Sequence, residues 1–566
     1  MKLLLTKTIR AVFLMLLTVS TVSLNAQSDP TGESAVTRTF AITNATVIQA
    51  PGKELKGATV VIKNGLIQAV GTNVTVPTDA QVIDGKDMFV YAGFIDGLAN
   101  TGAKRPENAP RPNDLFSPDP PNDYAGITPE HSLLDQLDVA SNTIASMRKE
   151  GFAISHSVPF GRMLPGSGSI ILLGDKKHAD ELVLSKDVSM FTQFAGAPGA
   201  YPGNVLGIMA KWRNLYRNAE NNKQHYDSYA QNPSGIERPE RDRVTEAFFP
   251  VVSKQRPVMF DVAGVLEVQR AMRLQKDLGF KLMVGNVKQA WDLGQMFKDN
   301  GTSVFLSLDL PDAPKEAKGK DLDEMTEETK RLEARKVDFY KKYVGQAASL
   351  ATSGVKFGFS SLDVTSTKVK ANLLTMIENG LSESDALAAL TTNAAGLLGI
   401  DKITGTVEAG KIANIMVSNA PYFTKDSQIK FMFVDGDKYD FEIKEKSAAG
   451  NGNRAGAAAG NDPIVGTWSY NFETPNGAST GKMTFAKDGG TYTGKMTNND
   501  GAPDANLQEV TFANGTLSFI FMIDAGGQSV ELIVSGTVTG KQYDAEVTVS
   551  AFNFSTPMSA TKDDGQ

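Results

Sequence analysis

The sequence predicts an α/β protein built around a (β/α)8, TIM-like barrel, with a composite β-sandwich from the flanking segments and a separate, C-terminal all-β eight-stranded barrel. Three observations predict it. Short apolar strands alternate with helical periodicity over roughly 300 residues. β-rich segments stand on both sides of that stretch, and a Gly, Ala and Asn tract separates it from a run of short alternating strands. The chain has 566 residues, 41% of them hydrophobic. Single cores stop growing near ~250–300 residues, so several domains are required.

In chain order, residues 1–26 read as an export signal. Lys2, Lys7 and Arg10 precede an apolar run over residues 11–24, and the small Ala26 suits a cleavage site. About 14 apolar residues fall short of the ~20 that a spanning helix needs, so no stable membrane anchor is expected. The expected location is the periplasm or outside the cell. Residues 27–90 are strand-like; in ATVVIKNGLIQAVG, Asn64-Gly65 between two β-branched runs signals a type I′ hairpin. This is the first part of the sandwich.

The barrel is assigned to residues 91–400. Its strands are MFVYAGFID, FAISHSV, KLMVGN, SVFLSLDL and VKFGFSS; LEVQRAMRLQKDLG and VKQAWDLGQMFKDNG have helical period. The charged stretch at residues 311–342 reads as a solvated helical insertion, with a lid over the barrel mouth as the functional option. Ser382 with Asp385 marks a capped helix start. Residues 401–445 return to β as the second part of the sandwich, and 446–461 read as a flexible linker. In residues 462–566, eight short strands separated by turn signals (Asp488-Gly489, Asn514-Gly515, Gly526-Gly527) suit a closed up-and-down barrel.

A net charge of -7 argues against a nucleic-acid surface, which requires clustered, uncompensated Lys and Arg. The chain has no cysteine, which excludes disulfides, cysteine metal ligands and a cysteine nucleophile. Gly166-Ser167-Gly168-Ser169 lacks the lysine of a P-loop, and there is no Gly-x-Ser-x-Gly elbow.

The stretches ITNATVIQAPG, GATVVIKNGLIQAVG, VIDGKDMFVYAGFID, GRMLPGSGSIILL, LTTNAAGLLGI and GTVEAGKIANIMV together resemble the amidohydrolase superfamily, in particular its imidazolonepropionase-like members. The resemblance covers about residues 38–445. It implies hydrolysis of carbon-nitrogen bonds other than peptide bonds. It also implies zinc or another divalent metal held by a His-x-His after the first strand, a lysine or glutamate from the fourth, histidines after the fifth and sixth, and an Asp after the eighth. Such a metal would lower the pKa of a bound water toward ~7.

This chain departs from that pattern. Its four histidines, His131, His156, His178 and His225, miss every motif position. Leu98 and Asn100 stand for the first pair, Asp261 lies near the fifth-strand position, and Gly285 and Asn286 near the sixth. Asp363, or Ser361, stands at the last. No metal site and no cofactor are expected.

Asp96, Asn100, Asp261, Asp309 and Asp363 all fall where strands end at the C-terminal face, where barrel enzymes keep their chemistry. One reading is an oxygen-only cation site or a carboxylate pair for acid-base work; the other is that short polar residues cap strand ends. Asp261 and Asp363 are the candidate catalytic residues. Asn100, His156 and Asp309 are the candidates for substrate binding.

In the C-terminal module, Gly466-Thr467-Trp468 resembles the start of lipocalin-like barrels. Phe519 and Phe521 share one face of a strand and, with Tyr543, either line a pocket or fill it.

The expectation is an exported amidohydrolase-fold protein that has lost its metal ligands, a degenerate member binding a small molecule or pairing with an active paralogue. The alternatives are a hydrolase using an unorthodox carboxylate site, and a scaffold whose C-terminal barrel holds the ligand.

Overall fold

The computed structural model describes residues 38–106, 114–314, 325–443 and 462–563, apart from 475–476, 489–490, 500–503, 514, 526–527 and 550–553. The stretches read as an export signal (1–26) and a linker (446–461) and the tips of the three C-terminal turns lie outside the described residues. The chain divides into two compact units, residues 1–443 and 444–566. No helix among the described residues is long and apolar enough to cross a membrane.

The first unit opens with β1 (Thr39–Ala50), β2 (Lys53–Lys63), β3 (Leu66–Gly71), β4 (Gln81–Asp84) and β5 (Phe89–Ala92). Asn64 and Gly65, at φ 52° and 80°, make the tight turn between β2 and β3. Both backbones are left-handed, as a type I′ turn requires. β1 bends near Asn44, also at positive φ; its first half pairs with β4 and its second with β5. The same sheet receives β14 (Ile415–Ser418), β15 (Ile429–Val434) and β16 (Asp437–Asp440) from beyond the barrel, in the order β16-β15-β14-β5-β1-β2-β3. Ile42, Val47, Val60, Val90, Ile415 and Phe433 share its core. The two flanking segments thus form one folded layer.

The stretch read as a single strand, MFVYAGFID, divides between two sheets. Gly93 is the break: its amide donates to the Asn414 carbonyl (2.9 Å), and a Cβ there would lie 2.5 Å from that of Ala153. No side chain fits at this crossing.

The barrel strands are β6 (Phe94–Ala99), β7 (Phe152–Ser157), β8 (Gly166–Leu172), β9 (Val183–Gln193), β10 (Val258–Asp261), β11 (Leu282–Val287), β12 (Ser303–Ser307) and β13 (Phe357–Ser360), hydrogen-bonded in that order. β6 and β7 are parallel, as are β9 through β13. β8 runs antiparallel to both neighbours. The segment between Ser157 and Gly166 is too short for the helical crossover that a parallel return needs. Side chains join the first strand to the last: Ser360 Oγ donates to the Leu98 carbonyl (2.7 Å), and Asp96 accepts from the Ser361 amide (3.1 Å) and hydroxyl.

Helices cover the outside. The longest, Val205–Gln231, begins at Asn204, whose side chain accepts from the Gly207 amide, and buries Ile208, Met209, Trp212 and Tyr216. The charged stretch continues into the helix Glu327–Val344, capped by Thr326, which runs two residues past it. Ser382 caps Glu383–Leu390 through the Asp385 amide, as its sequence signal indicates.

In the second unit, β17 (Gly466–Thr474), β18 (Gly477–Asp488), β19 (Thr491–Asn498), β20 (Ala505–Ala513), β21 (Thr516–Ala525), β22 (Gln528–Thr539), β23 (Gln542–Val549) and β24 (Phe554–Lys562) close an eight-stranded antiparallel barrel. Its interior is filled. Trp468, Phe485, Phe519, Phe521 and Tyr543 form one buried cluster, with Phe485 and Phe519 ring centres 5.7 Å apart. The polar tips are satisfied inside: Trp468 Nε1 donates to the Ile464 carbonyl (2.8 Å) and Tyr543 OH to that of Leu517 (2.9 Å).

Candidate functional site at the barrel mouth

The barrel axis is apolar. Leu98 from β6, Phe191 from β9, Met259 from β10, Met283 from β11 and Phe305 from β12 meet there with Val158 in one buried cluster. Glycines opposite them make the room. A Cβ on Gly97 would lie 1.9 Å from the Phe305 ring, and one on Gly285 would lie 2.3 Å from Leu98 Cδ2. Real contacts between carbons lie near ~3.5–4.0 Å, so each bulky residue occupies space its glycine leaves open.

His156, a candidate for substrate binding by sequence, is instead fully buried inside the barrel. Its Nδ1 lies 2.9 Å from the Gly97 carbonyl and its Nε2 2.9 Å from Ser189 Oγ. A carbonyl can only accept, so Nδ1 carries the proton and Nε2 receives the Ser189 hydroxyl. Burial lowers the imidazole pKa to about 4, against the help of the Gly97 hydrogen bond, so the ring is neutral at neutral pH. It is a structural pin between strands.

Above the apolar layer, four strand ends are tied by two side chains of β11 and its exit. Asn286 Nδ2 donates to Asp261 Oδ1 (3.1 Å) and Asp363 Oδ2 (2.7 Å). Lys288 Nζ donates to Asp309 Oδ2 (2.8 Å) and pairs with Asp363 Oδ2 (3.0 Å). Asn286 sits at φ 59°, a left-handed conformation that asparagine tolerates better than most residues. Its Oδ1 is buried without a partner.

Asp261 keeps partial exposure at the strand end but is enclosed on most sides. Burial pushes its carboxyl up to about 7; Asn286 opposes the shift and Asp363 reinforces it. Burial works against the Lys288 charge, yet the Asp309 and Asp363 carboxylates outweigh it and hold the ammonium above its ordinary range. Asp96 is buried below, and burial pushes it up to about 7 against hydrogen bonds from Ser361 and Leu98. It joins β6 to the exit of β13 and is closed off from the mouth.

A half-open cleft of about 610 Å³ lies at this face, lined among others by Asn100, Arg105, Phe160, Gln193, Asp261, Ser361 and Asp363. Asn100 Nδ2 donates to the Val158 carbonyl (2.8 Å), and the Arg105 guanidinium stacks 4.4 Å from the Phe160 ring centre. Of the five sequence candidates, Asn100, Asp261 and Asp363 line one cleft. Asp309 stands behind it, held by Lys288, and His156 lies deep in the barrel. Sequence reasoning noted Asn286 only as a missing histidine and passed over Lys288. No strand period marks them, because Asn286 turns into the left-handed region and Lys288 lies past the end of β11.

The residues do not fit the metal that the resemblance implies. Leu98 is part of the apolar layer, the Asn100 amide is turned to a backbone carbonyl, and an ammonium stands between two of the carboxylates. Among the described residues, no group of three or more His, Asp or Glu could hold a metal ion.

Residues 300–439 match the amidohydrolase family. Among solved structures, an amidohydrolase from Thermotoga maritima is 20% identical; the match covers 71% of this chain and all of that one, with a TM-score of 0.58. At that identity the likeness shows the fold. A Xaa-Pro dipeptidase with bound methionine (14% identity, 71% and 100% covered, TM-score 0.42) and a triazine hydrolase variant (14%, 71% and 94%, 0.40) are too distant to carry an argument. No curated protein matches the chain.

Proposed function

We propose that this protein, whose first unit has the amidohydrolase fold, binds a small polar molecule at the barrel mouth without a metal-activated water. One observation carries the reading: Leu98 and Phe305 fill the barrel axis beneath the mouth, each in space left by a glycine. A floor of this kind supplies no ligands for a cation. The cleft above it keeps recognition chemistry, with Asp261 and Asp363 to accept hydrogen bonds, Asn100 and Gln193 as amides, and Arg105 stacked on Phe160. A ligand carrying an amine or other hydrogen-bond donors suits the two carboxylates. The filled interior of the second unit favours the mouth as the binding place over the C-terminal barrel.

Export to the periplasm or beyond belongs to this reading and rests on the basic-then-apolar N-terminus. Pairing with an active paralogue is a further part of it, tested by co-purification. The main test is a thermal-shift screen of small amines, amides and amino acids on the full chain. A ligand that stabilises the wild type but not Asp363→Asn or Asn100→Ala supports the proposal. Binding that survives both substitutions removes the mouth from it.

A second reading has an observation of its own. Asp261, pushed up to about 7, stands beside Asp363 across one shared amide, and carboxylates whose environments differ can divide acid and base roles. Turnover of any amide or cyclic amide that disappears in Asp261→Asn with ligand binding retained would favour this reading.

A further inference from the structure

We infer that the Lys288 ammonium is a built-in counter-ion, supplying at the mouth the positive charge that a metal ion supplies in hydrolases of this fold. Carboxylates from the exits of three different strands, β10, β12 and β13, converge on the β11 exit. Gathered carboxylates repel one another, and such a group is stable when it is protonated or holds a cation. Both solutions are present. Asp261, away from the ammonium, is the carboxyl whose affinity for a proton is raised. Asp309 and Asp363 are bridged by Lys288 Nζ at 2.8 and 3.0 Å.

Divalent cations such as calcium take oxygen ligands at about 2.3–2.6 Å, a few tenths of an ångström nearer than these oxygens stand to the nitrogen. The ammonium therefore occupies the place a cation would take between the two carboxylates. Asn286 joins the cluster through its amide nitrogen, which holds Asp261 and Asp363 beside the ammonium. Leu98 and Lys288 thus divide the replacement of a metal, one filling its space and the other its charge.

The inference predicts a gain of function. Removing the ammonium leaves Asp309 and Asp363 facing each other across an uncompensated position, and this pair should take up a hydrated divalent cation. The full-length Lys288→Ala and Lys288→Gln variants are melted with and without millimolar calcium or manganese. Each is expected to show a rise in melting temperature of about 2 °C or more on adding the ion, or to fold only in its presence. Wild type and Lys288→Arg should show no such rise. Adding Asp309→Asn and Asp363→Asn to Lys288→Ala should abolish it.

The inference is overturned if both lysine variants fold and ignore the ions, or if neither folds and the ions rescue neither. A shift in the wild type itself would overturn both this inference and the metal-free reading of the mouth. Indifferent lysine variants beside an indifferent wild type would overturn the inference alone.

Discussion

Gly285→Ala tests the packed axis because its cost can be worked from one contact. The new Cβ would lie 2.3 Å from Leu98 Cδ2 and 3.2 Å from both Leu98 Cβ and Met259 Sδ. An overlap of more than about 1 Å must be relieved by moving Leu98, because ordinary carbon contacts lie near ~3.5–4.0 Å. Leu98 is fully buried in a cluster with Phe191, Met259, Met283 and Phe305, so it has little room to move. Overpacking of this kind costs about 1–3 kcal/mol. Leu98→Ala, which opens a cavity instead, should cost about 2–5 kcal/mol. In the double variant the alanine methyl at 285 enters the space that Leu98 vacates, so the combined cost should fall short of the sum by about 1–2 kcal/mol. Urea unfolding of the full chain reads this in a Trp468→Phe background, where Trp212 and Trp291 report on the first unit alone. Additivity within about 0.5 kcal/mol would refute the claim that Gly285 exists to admit Leu98.

Asp96→Asn should gain stability relative to wild type as pH rises from 4 to 7. Burial pushes Asp96 up to about 7, so its contribution is complete below the ordinary carboxyl range and lost as pH rises through 7; a pH-independent difference in urea midpoints would contradict this. His156 works in the opposite sense. With its pKa lowered to about 4, it favours the folded state above 6.5 and loses that contribution as pH falls toward 4, which a His156→Gln variant should blunt. In the second unit, Tyr543→Phe deletes the hydroxyl that the Leu517 carbonyl accepts from and should cost about 1 kcal/mol, with the first unit's transition unmoved. Phe305→Ala should cost about 3–5 kcal/mol, and a loss below 1 kcal/mol in urea titration would show that the axis is not tightly filled.

Much of the architecture is legible in the sequence because it rests on local signals. Asn64-Gly65 specifies its hairpin by backbone chirality, Ser382 its helix start by a side-chain cap, and the C-terminal alternation its closed barrel by a period of two. The antiparallel course of β8 is less legible: GSGSIIL has the same composition whichever way it runs, and direction follows from the length of the loop before it. The break at Gly93 is hidden for a related reason, since an apolar run does not reveal that Ala153 and Asn414 lie against its middle. At the site, the missing histidines could be read directly, and so could the gathering of Asp261, Asp363 and Asn100 at strand ends. The packing beneath the mouth and the ion pairs above it could not. The pairing of Leu98 with Gly285, of Phe305 with Gly97, and of Lys288 with two distant aspartates joins residues far apart in sequence. His156 misleads because a strand-end histidine before a Pro-Gly loop looks the same whether its ring points out of the barrel or into it.

Metal content tests most directly whether this barrel mouth works without a metal ion. The purified protein, dialysed against trace zinc, manganese and calcium, is measured by elemental mass spectrometry. The expected result is no metal above background, with the melting temperature unchanged by chelator. Near one equivalent of any of these metals per chain, lost on Asp261→Ala or Asp363→Ala, would contradict it.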